Sequence, residues 1–501
     1  MPGLSTPPNR TGARPAAALP RFAAVPVLSA AVAQLGVLAA VANLYGYHRD
    51  ELYFRMLPPA YGYVDQPPLT PAIARFFRDV VADEAWAMRI PAMLFAAASV
   101  IVVALITREV GGGRLAQGLA AWGYAFAAFP LIFGHVLLTA SLDLLVWPAV
   151  VLFVMRAVLR DRPWWWLVAG LVVGLSMYNK LLVALLLASL AVGILVAGPR
   201  RILATWQPYV AAGIAVLVGL PNLVYQWQNG WPQLAMGRAL AENNADEVRI
   251  LMWPLLLVLL GPLLVPTWVA GILALVRRTE WRPIRFLVVA LPVLLVLTFV
   301  GGSQFYYPLG LLACLYATGC VPVAEFATAK VGRRGPVFAA IGVNSVVSAV
   351  IALPVIPLSA LGATPIPAVN QVAGDQVGWE RYVAQVEEAA AALPAGESVI
   401  LATNYGEAGA LARYGSAALP PLVSGHNALA DAGPPDETVT TVLVVGYQVR
   451  HLGSFFGSCE IVDELDNRLG VENEEQGAPL SVCRDPKGSW SELWPAIAHL
   501  D

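Results

Sequence analysis

Two acids stand side by side among cations in the stretch Tyr47-His48-Arg49-Asp50-Glu51-Leu52-Tyr53-Phe54-Arg55. A third acid, Asp65, follows in Gly62-Tyr63-Val64-Asp65-Gln66-Pro67-Pro68-Leu69. A carboxylate beside guanidinium groups suits group transfer to a hydroxyl. The carboxylate takes the hydroxyl proton as the new bond forms, and the cations hold a departing anion such as phosphate. Asp50 is then a candidate base with Glu51 beside it, and Arg49 and Arg55 are candidate anion ligands. The plainer reading is a solvated salt-bridge cluster. Composition by itself favours that reading, because charge clusters are common where membrane spans end.

Two more ionisable residues stand at the ends of apolar runs. Asp143 belongs to Thr139-Ala140-Ser141-Leu142-Asp143, and Lys180 closes the triplet Tyr178-Asn179-Lys180. Such a residue at the end of a span is a candidate for function. For Asp143 the structural alternative is pairing with a nearby arginine. An unbroken helix over 163–198 would put Lys180 in hydrocarbon at a cost of roughly 2.5–3.5 kcal/mol. The spacing therefore predicts a tight turn at the triplet.

The elements that must position these residues are membrane helices. Hydrophobic residues make up 58% of the 501 and charged residues only 13%, with a mean hydropathy of +0.65. A soluble domain carries about 25% charged residues, so these are too few to cover a water-facing surface. The formal net charge of -2 comes with no basic face for nucleic acid. Runs of roughly 20 apolar residues match a hydrocarbon core about 30 Å thick. About eleven are predicted, near 22–44, 89–107, 115–136, 138–158, 163–180, 181–198, 206–225, 250–276, 284–301, 305–323 and 336–357. The fold class expected is a polytopic α-helical membrane protein.

Residues 1–21 are rich in proline and arginine and read as a disordered cytoplasmic tail. The run from Phe22 is too long for a signal-peptide core of about 7–15 residues, so it reads as an uncleaved first span. The sequon Asn9-Arg10-Thr11 then lies on the cytoplasmic side. With the amino terminus inside, each inner loop is basic: Arg108 and Arg114; Arg156, Arg160 and Arg162; Arg200 and Arg201; Arg277, Arg278, Arg282 and Arg285; Lys330, Arg333 and Arg334. The expected location is the plasma (inner) membrane, with residues 22–357 as the membrane domain and 358–501 outside the cytoplasm. Two outer segments exceed a simple hairpin, 45–88 and Gln226 to Arg249, and long loops tend to carry function. Leu69, Ile73, Phe76, Phe77 and Val80 have helical spacing and predict an interfacial helix. Trp227 and Trp231 could stack on a sugar ring or anchor their loop. His135 reads as a polar turn residue, and Trp164-Trp165-Trp166 as an interfacial anchor.

The tail changes character. Helix signals at Trp379 to Leu393 and Glu407 to Tyr414 alternate with strand signals at Ser398 to Thr403, Leu422-Val423, Thr438 to Val445 and Ile461-Val462. This predicts a small α/β domain. Cys314 and Cys320 fall in a span and read as packing residues. Cys459 and Cys483 share the outer domain, where a disulfide persists. No cysteine or histidine spacing suggests zinc.

Taken in order, these motifs resemble the bacterial protein-O-mannosyltransferase-like glycosyltransferases, the superfamily of the lipid A aminoarabinose transferases and the dolichyl-phosphate-mannose enzymes. The resemblance rests on Asp50-Glu51, on Gly62 to Leu69, on Thr139 to Asp143 and on Gly174-Leu175-Ser176-Met177-Tyr178-Asn179-Lys180. It continues in Leu220 to Pro232, Phe305-Tyr306-Tyr307-Pro308, Asn404 to Ala410 and Ser424-Gly425-His426-Asn427. It implies a GT-C fold, a polyprenyl-phosphate-linked sugar as donor and an extracytoplasmic hydroxyl as acceptor. It also implies Asp50 as general base beside Glu51. Asp65 and Asp143 become supporting acids or ligands of a divalent cation, Mg or Mn, and Lys180 becomes a phosphate ligand near Tyr306 and Tyr307. The family often carries a cation before the tyrosine pair, where this sequence has Gln304. The phosphate clamp must then draw on Arg55, Lys180 and Arg249.

The rival classes are a transporter or lipid flippase, and a non-catalytic scaffold with an outer binding domain. Transporters usually show internal repeats and charges at mid-membrane, whereas this chain keeps its acids at span ends. Sugar and acceptor (protein, lipid or polysaccharide) stay open.

Overall fold

The computed structural model describes residues 19–302 and 304–500. The expected disordered tail thus lies outside the described residues except for its last three positions, as does Ser303. Fifteen longer helices occupy the first part of the chain. In order they are α1 (Ala24–Val41), α2 (Arg49–Met56), α3 (Leu69–Val80), α4 (Ala85–Glu109), α5 (Arg114–Ala125), α6 (Ala128–His135), α7 (Thr139–Leu159), α8 (Trp165–Ser176), α9 (Val183–Ala197), α10 (Gln207–Gln228), α11 (Pro232–Leu260), α12 (Val265–Arg277), α13 (Phe286–Gly301), α14 (Leu309–Ala329) and α15 (Arg334–Ala352).

Among the described residues, seven helices are long and apolar enough to cross a membrane, and two bent pairs raise the number to nine. The shorter apolar helices α8 and α9 complete the eleven expected segments. Two segments expected as single spans are bent. The α5–α6 pair turns by 54° at Phe126-Ala127, and the α11–α12 pair by 77° at Gly261-Pro262. Proline lacks the amide hydrogen that would continue the ladder. Gly261 adopts φ 108°, which only glycine tolerates well.

The segment Gln226 to Arg249, expected as a long loop, is almost entirely helix. α10 runs on to Gln228, the chain reverses at Gly230 and Trp231, and α11 starts at Pro232. Its charged stretch from Arg238 to Arg249 is a helix running past the apolar length. The turn at Tyr178-Asn179-Lys180 is present between α8 and α9.

The C-terminal part forms a five-stranded sheet in the order β2-β1-β3-β5-β4, with β1 Ser398–Ala402, β2 Leu422–Ser424, β3 Thr441–Val445, β4 Phe456–Glu464 and β5 Pro479–Pro486. β1 pairs parallel to β2 and β3, and β5 pairs antiparallel to β3 and β4. Strand β5 and the last helix, Trp490–Ile497, gave no signal distinct enough to read in sequence. Cys459 and Cys483 face each other across β4 and β5 and are disulfide-bonded. The segment before α4 and this domain share one core. Leu52, Tyr53 and Phe54 of α2 pack with Ala408, Leu411 and Leu443. At Gly409 a side chain would run into the backbone of Leu52, so the helix Tyr405–Tyr414 lies directly on α2.

Candidate active site

α2 starts with a reciprocal cap. His48 Nδ1 accepts from the Asp50 amide at 3.1 Å, and Glu51 Oε2 accepts from the His48 amide at 2.9 Å. Successive helical residues are about 100° apart, so Asp50 and Glu51 leave the helix in different directions. Asp50 shares a face with Tyr53 and Phe54, three and four residues on, and this face lines a cavity of about 370 Å³. Glu51 turns toward α4. Its carboxylate binds Arg89 at 2.9 Å and accepts from the Leu137 amide at 3.0 Å, and neither Glu51 nor Arg89 is exposed. The expectation of Glu51 beside Asp50 in the chemistry is thus corrected: a fully paired, buried carboxylate cannot reach a substrate in the cavity. Arg89 has no motif around it, and sequence reading did not single it out.

The cavity collects its walls from distant parts of the chain. Asp65 and Gln66 enter from the segment before α3, Thr139 from the start of α7, and Asn179 and Lys180 from the turn after α8. Gln304, Tyr306 and Tyr307 come from the approach to α14. α11 supplies Gln233, Met236, Leu240 and Asn244, a spacing that keeps one helical face toward the cavity. The C-terminal domain adds Tyr405, His426, Asn427 and Glu474.

Lys180 enters this cavity from the turn between α8 and α9. Its ammonium lies 5.3 Å from the Tyr307 ring centre and 5.9 Å from that of Tyr306. Asn179 fixes the turn: it accepts from Thr70 Oγ1 at 2.5 Å and donates to the Thr139 carbonyl at 2.8 Å. Asp143, one turn beyond Thr139 on α7, interacts with Lys180 and Asn179. It stands behind Lys180 and does not line the cavity.

Arg49 is buried and paired with Glu474 and, at 3.8 Å, with Glu475. Its guanidinium also lies 4.9 Å over the Tyr405 ring. Two tyrosine hydroxyls donate to the two cavity aspartates. Tyr405 donates to Asp50 Oδ1 at 3.0 Å, and Tyr53 to Asp65 Oδ1 at 3.0 Å. Burial pushes the Asp65 carboxyl up to about 7, against the backbone and Tyr53 hydrogen bonds that favour its charged form. Asp50 Oδ2 makes no hydrogen bond among the described residues, which leaves one carboxylate oxygen available at the cavity wall.

Two expected anion ligands lie elsewhere. Arg55 binds Asp83, with Nε 2.9 Å from Oδ1. Arg249 pairs with Asp246 at 3.3 Å and donates to the Phe299 carbonyl at 3.2 Å. Both sit on helix faces turned from the cavity, a direction that charge counting does not register. Trp227, Trp231 and His135 do not line it either; His135 is buried 3.4 Å from Arg89. The expected divalent-cation ligands do not fit an ion. Among the described residues no three His, Cys, Asp or Glu side chains gather as a metal site, and Asp65 and Asp143 each have other partners. Tyr53, Tyr405, Asn179 and Glu474 are site residues that sequence reading gave no role. Of these, Tyr53, Asn179 and Tyr405 stood inside quoted motifs.

Residues 65–225 match the family model described as dolichyl-phosphate-mannose-protein mannosyltransferase. The fold is similar to that of ArnT from Cupriavidus metallidurans bound to undecaprenyl phosphate, with a TM-score of 0.57, 14% identity, and coverage of 91% of this chain and 97% of that one. The apo form of the same protein gives a TM-score of 0.53 at 13% identity, with the same coverage. No curated protein matches in sequence. The chain has a membrane-helix fold of the GT-C type. The matched segment carries Asp65, Gln66, Thr139, Asn179 and Lys180 of the cavity's polar wall. Asp50 precedes that segment, and the Tyr306-Tyr307 pair and the C-terminal domain follow it.

Proposed function

We propose that the enzyme moves a sugar from a polyprenyl-phosphate carrier to an acceptor hydroxyl on the extracytoplasmic side, with Asp50 as general base. The observation that carries this reading is one cavity lined both by an acid with a carboxylate oxygen that makes no hydrogen bond among the described residues and by a lysine at the end of an apolar helix pair. The acceptor O–H gives its proton to Asp50 Oδ2 as the acceptor oxygen bonds to the anomeric carbon. The bond from that carbon to the phosphate oxygen breaks, and the carrier phosphate leaves with its charge held by Lys180. Configuration at the anomeric carbon inverts. A lipid carrier suits a cavity at the end of a helix bundle, and the undecaprenyl phosphate bound to ArnT supports this donor class.

The arginine-rich loops support an orientation with the amino terminus in the cytoplasm and the cavity outside. Residues 22–357 then form the membrane domain, with 45–88 as its first outer loop, and 358–501 the outer domain. The test is Asp50→Asn in purified enzyme given undecaprenyl-phosphate mannose, glucose or arabinose, with release of undecaprenyl phosphate as the readout. Wild type releases the carrier from its proper donor and the variant does not. Full turnover by Asp50→Asn, or labelling of a thiol at position 50 from the cytosol, removes this reading.

A further inference from the structure

Asp50 is held from outside the membrane domain. Tyr405 opens the helix Tyr405–Tyr414, whose start is capped by Asn404 accepting from the Glu407 amide at 2.9 Å. The Tyr405 ring lies between Tyr53, at 4.8 Å between centres, and His426, at 4.9 Å. His426 stacks in turn on His499 at 4.8 Å, close to the end of the chain. The Tyr405 amide donates to His426 Nδ1 at 3.0 Å, and the Asn427 amide donates to the His499 carbonyl at 2.9 Å. Arg49 covers another side of the ring. These contacts fix the Tyr405 hydroxyl where it donates to Asp50 Oδ1.

We infer that Tyr405 is a positioning residue for the glycosyl transfer: its hydroxyl occupies Asp50 Oδ1, turns Oδ2 to the acceptor, and makes the C-terminal domain a component of the active site. This role rests on Asp50 being the base. A side chain bonded at one oxygen loses rotational freedom, and a base held in one rotamer acts within hydrogen-bond reach of its proton. Burial first, and then the Asp50 charge, keep the Tyr405 proton in place, so tyrosine is the donor throughout the physiological range. Among the described residues the groups that face Asp50 are His48 at the start of α2, Asp65 before α3, Tyr306 before α14 and Tyr405 itself. Among the described residues, Tyr405 alone comes from the C-terminal domain and donates to the carboxylate.

The experiment compares full-length wild type, Tyr405→Phe and Asp50→Asn in detergent. Phenylalanine keeps the ring and its stacking and removes one hydrogen bond. A carboxylate that loses a donor is protonated more readily, and carbodiimides modify carboxyl groups in their protonated form. Carbodiimide labelling of Asp50, read by mass spectrometry against pH, is expected to move its midpoint up by about one unit in Tyr405→Phe. With the undecaprenyl-phosphate sugar that wild type uses, kcat falls about 10-fold with KM unchanged, and the acid limb of the pH profile moves up in parallel. If the phenylalanine variant does not fold, 3-fluorotyrosine at position 405, a stronger donor, moves the midpoint down. An unmoved midpoint in the variant that folds overturns the inference, as does a loss of kcat with an unmoved acid limb. If Asp50→Asn is inactive while Tyr405→Phe behaves as wild type, this inference fails alone. If Asp50→Asn stays active, the assignment of the base fails first.

Discussion

The carboxylate of Glu51 lies 2.9 Å from the guanidinium of Arg89, and neither side chain is reached by solvent. Arg89 also donates to the carbonyls of Ala42 at 2.8 Å and Gly46 at 2.7 Å. The pair therefore locks α2 to α4 and to the end of α1, and the direction of Asp50 depends on it. Removing one partner of a buried pair leaves an uncompensated charge and costs about 3–5 kcal/mol. Glu51→Gln is expected to lose most of its folded yield and its cooperative thermal transition, whereas Asp50→Asn keeps both. Size-exclusion profiles and thermal melts of the two variants check this. A Glu51→Gln protein that is stable but inactive would return Glu51 to the chemistry.

Lys180 lines the cavity and is proposed to hold the carrier phosphate. Losing one group that stabilises developing charge typically lowers turnover by about 100-fold or more. Lys180→Met is expected to lose that much in kcat/KM and to weaken retention of undecaprenyl phosphate. Arg55→Met and Arg249→Met, which alter cations outside the cavity, are expected to stay within about threefold of wild type. Carrier release by all three variants, measured side by side, separates these outcomes.

Burial pushes Glu407 up to about 8 and Glu475 up to about 7. Unfolded glutamates titrate near 4.3. Above that value, and up to the native-state values, the folded domain holds more protons than the unfolded chain, so its stability falls as pH rises through this window. Glu407→Gln removes part of the slope and is expected to be more stable than wild type at pH 8 and closer to it at pH 5. Thermal unfolding followed by tryptophan fluorescence across this range gives the sign. A wild-type stability that climbs from pH 5 to pH 8 contradicts it.

The Cys459–Cys483 bridge joins residues 24 apart and pins the edge strand β4 to β5. Closing a loop of this length in the unfolded chain is worth about 3 kcal/mol. Replacing both cysteines by serine is expected to lower the stability of the C-terminal domain by roughly that amount. Faster cleavage between β4 and β5 under limited proteolysis should accompany the loss. The variant should still fold, because Phe456 of β4 and Leu480 and Val482 of β5 keep their packing.

An added methyl at Gly409 would meet Leu52, with its Cβ at 2.6 Å and its carbonyl carbon at 2.8 Å. Overpacking of this kind costs about 1–3 kcal/mol. Gly409→Ala is expected to push the helix Tyr405–Tyr414 away from α2 and to lower both stability and turnover. Gly213→Ala, where nothing lies within 4 Å, serves as the silent comparison. Equal thermal midpoints for the two variants would show that the interface yields without cost.

The amino-acid sequence by itself determined the membrane class, the eleven apolar segments and the α/β character of the tail, because length, apolarity and alternation are local properties. It also marked Asp50, Asp65 and Lys180, since ionisable residues at the ends of apolar runs stand out against their neighbours. It could not separate Asp50 from Glu51. The two are adjacent in the chain and chemically alike, and a step of about 100° around a helix sends one to the cavity and the other to Arg89. It could not place Arg55 and Arg249, whose charges count equally in a composition but point elsewhere. The helix from Pro232 was hidden because its charged first turns lack the apolarity that marks a span. Tyr405 lies 355 residues from Asp50, and only packing of the C-terminal domain onto α2 brings the two together. Tertiary structure decided that relationship because the helix must bury its apolar face on Leu52, and burying it there carries the tyrosine hydroxyl to the carboxylate.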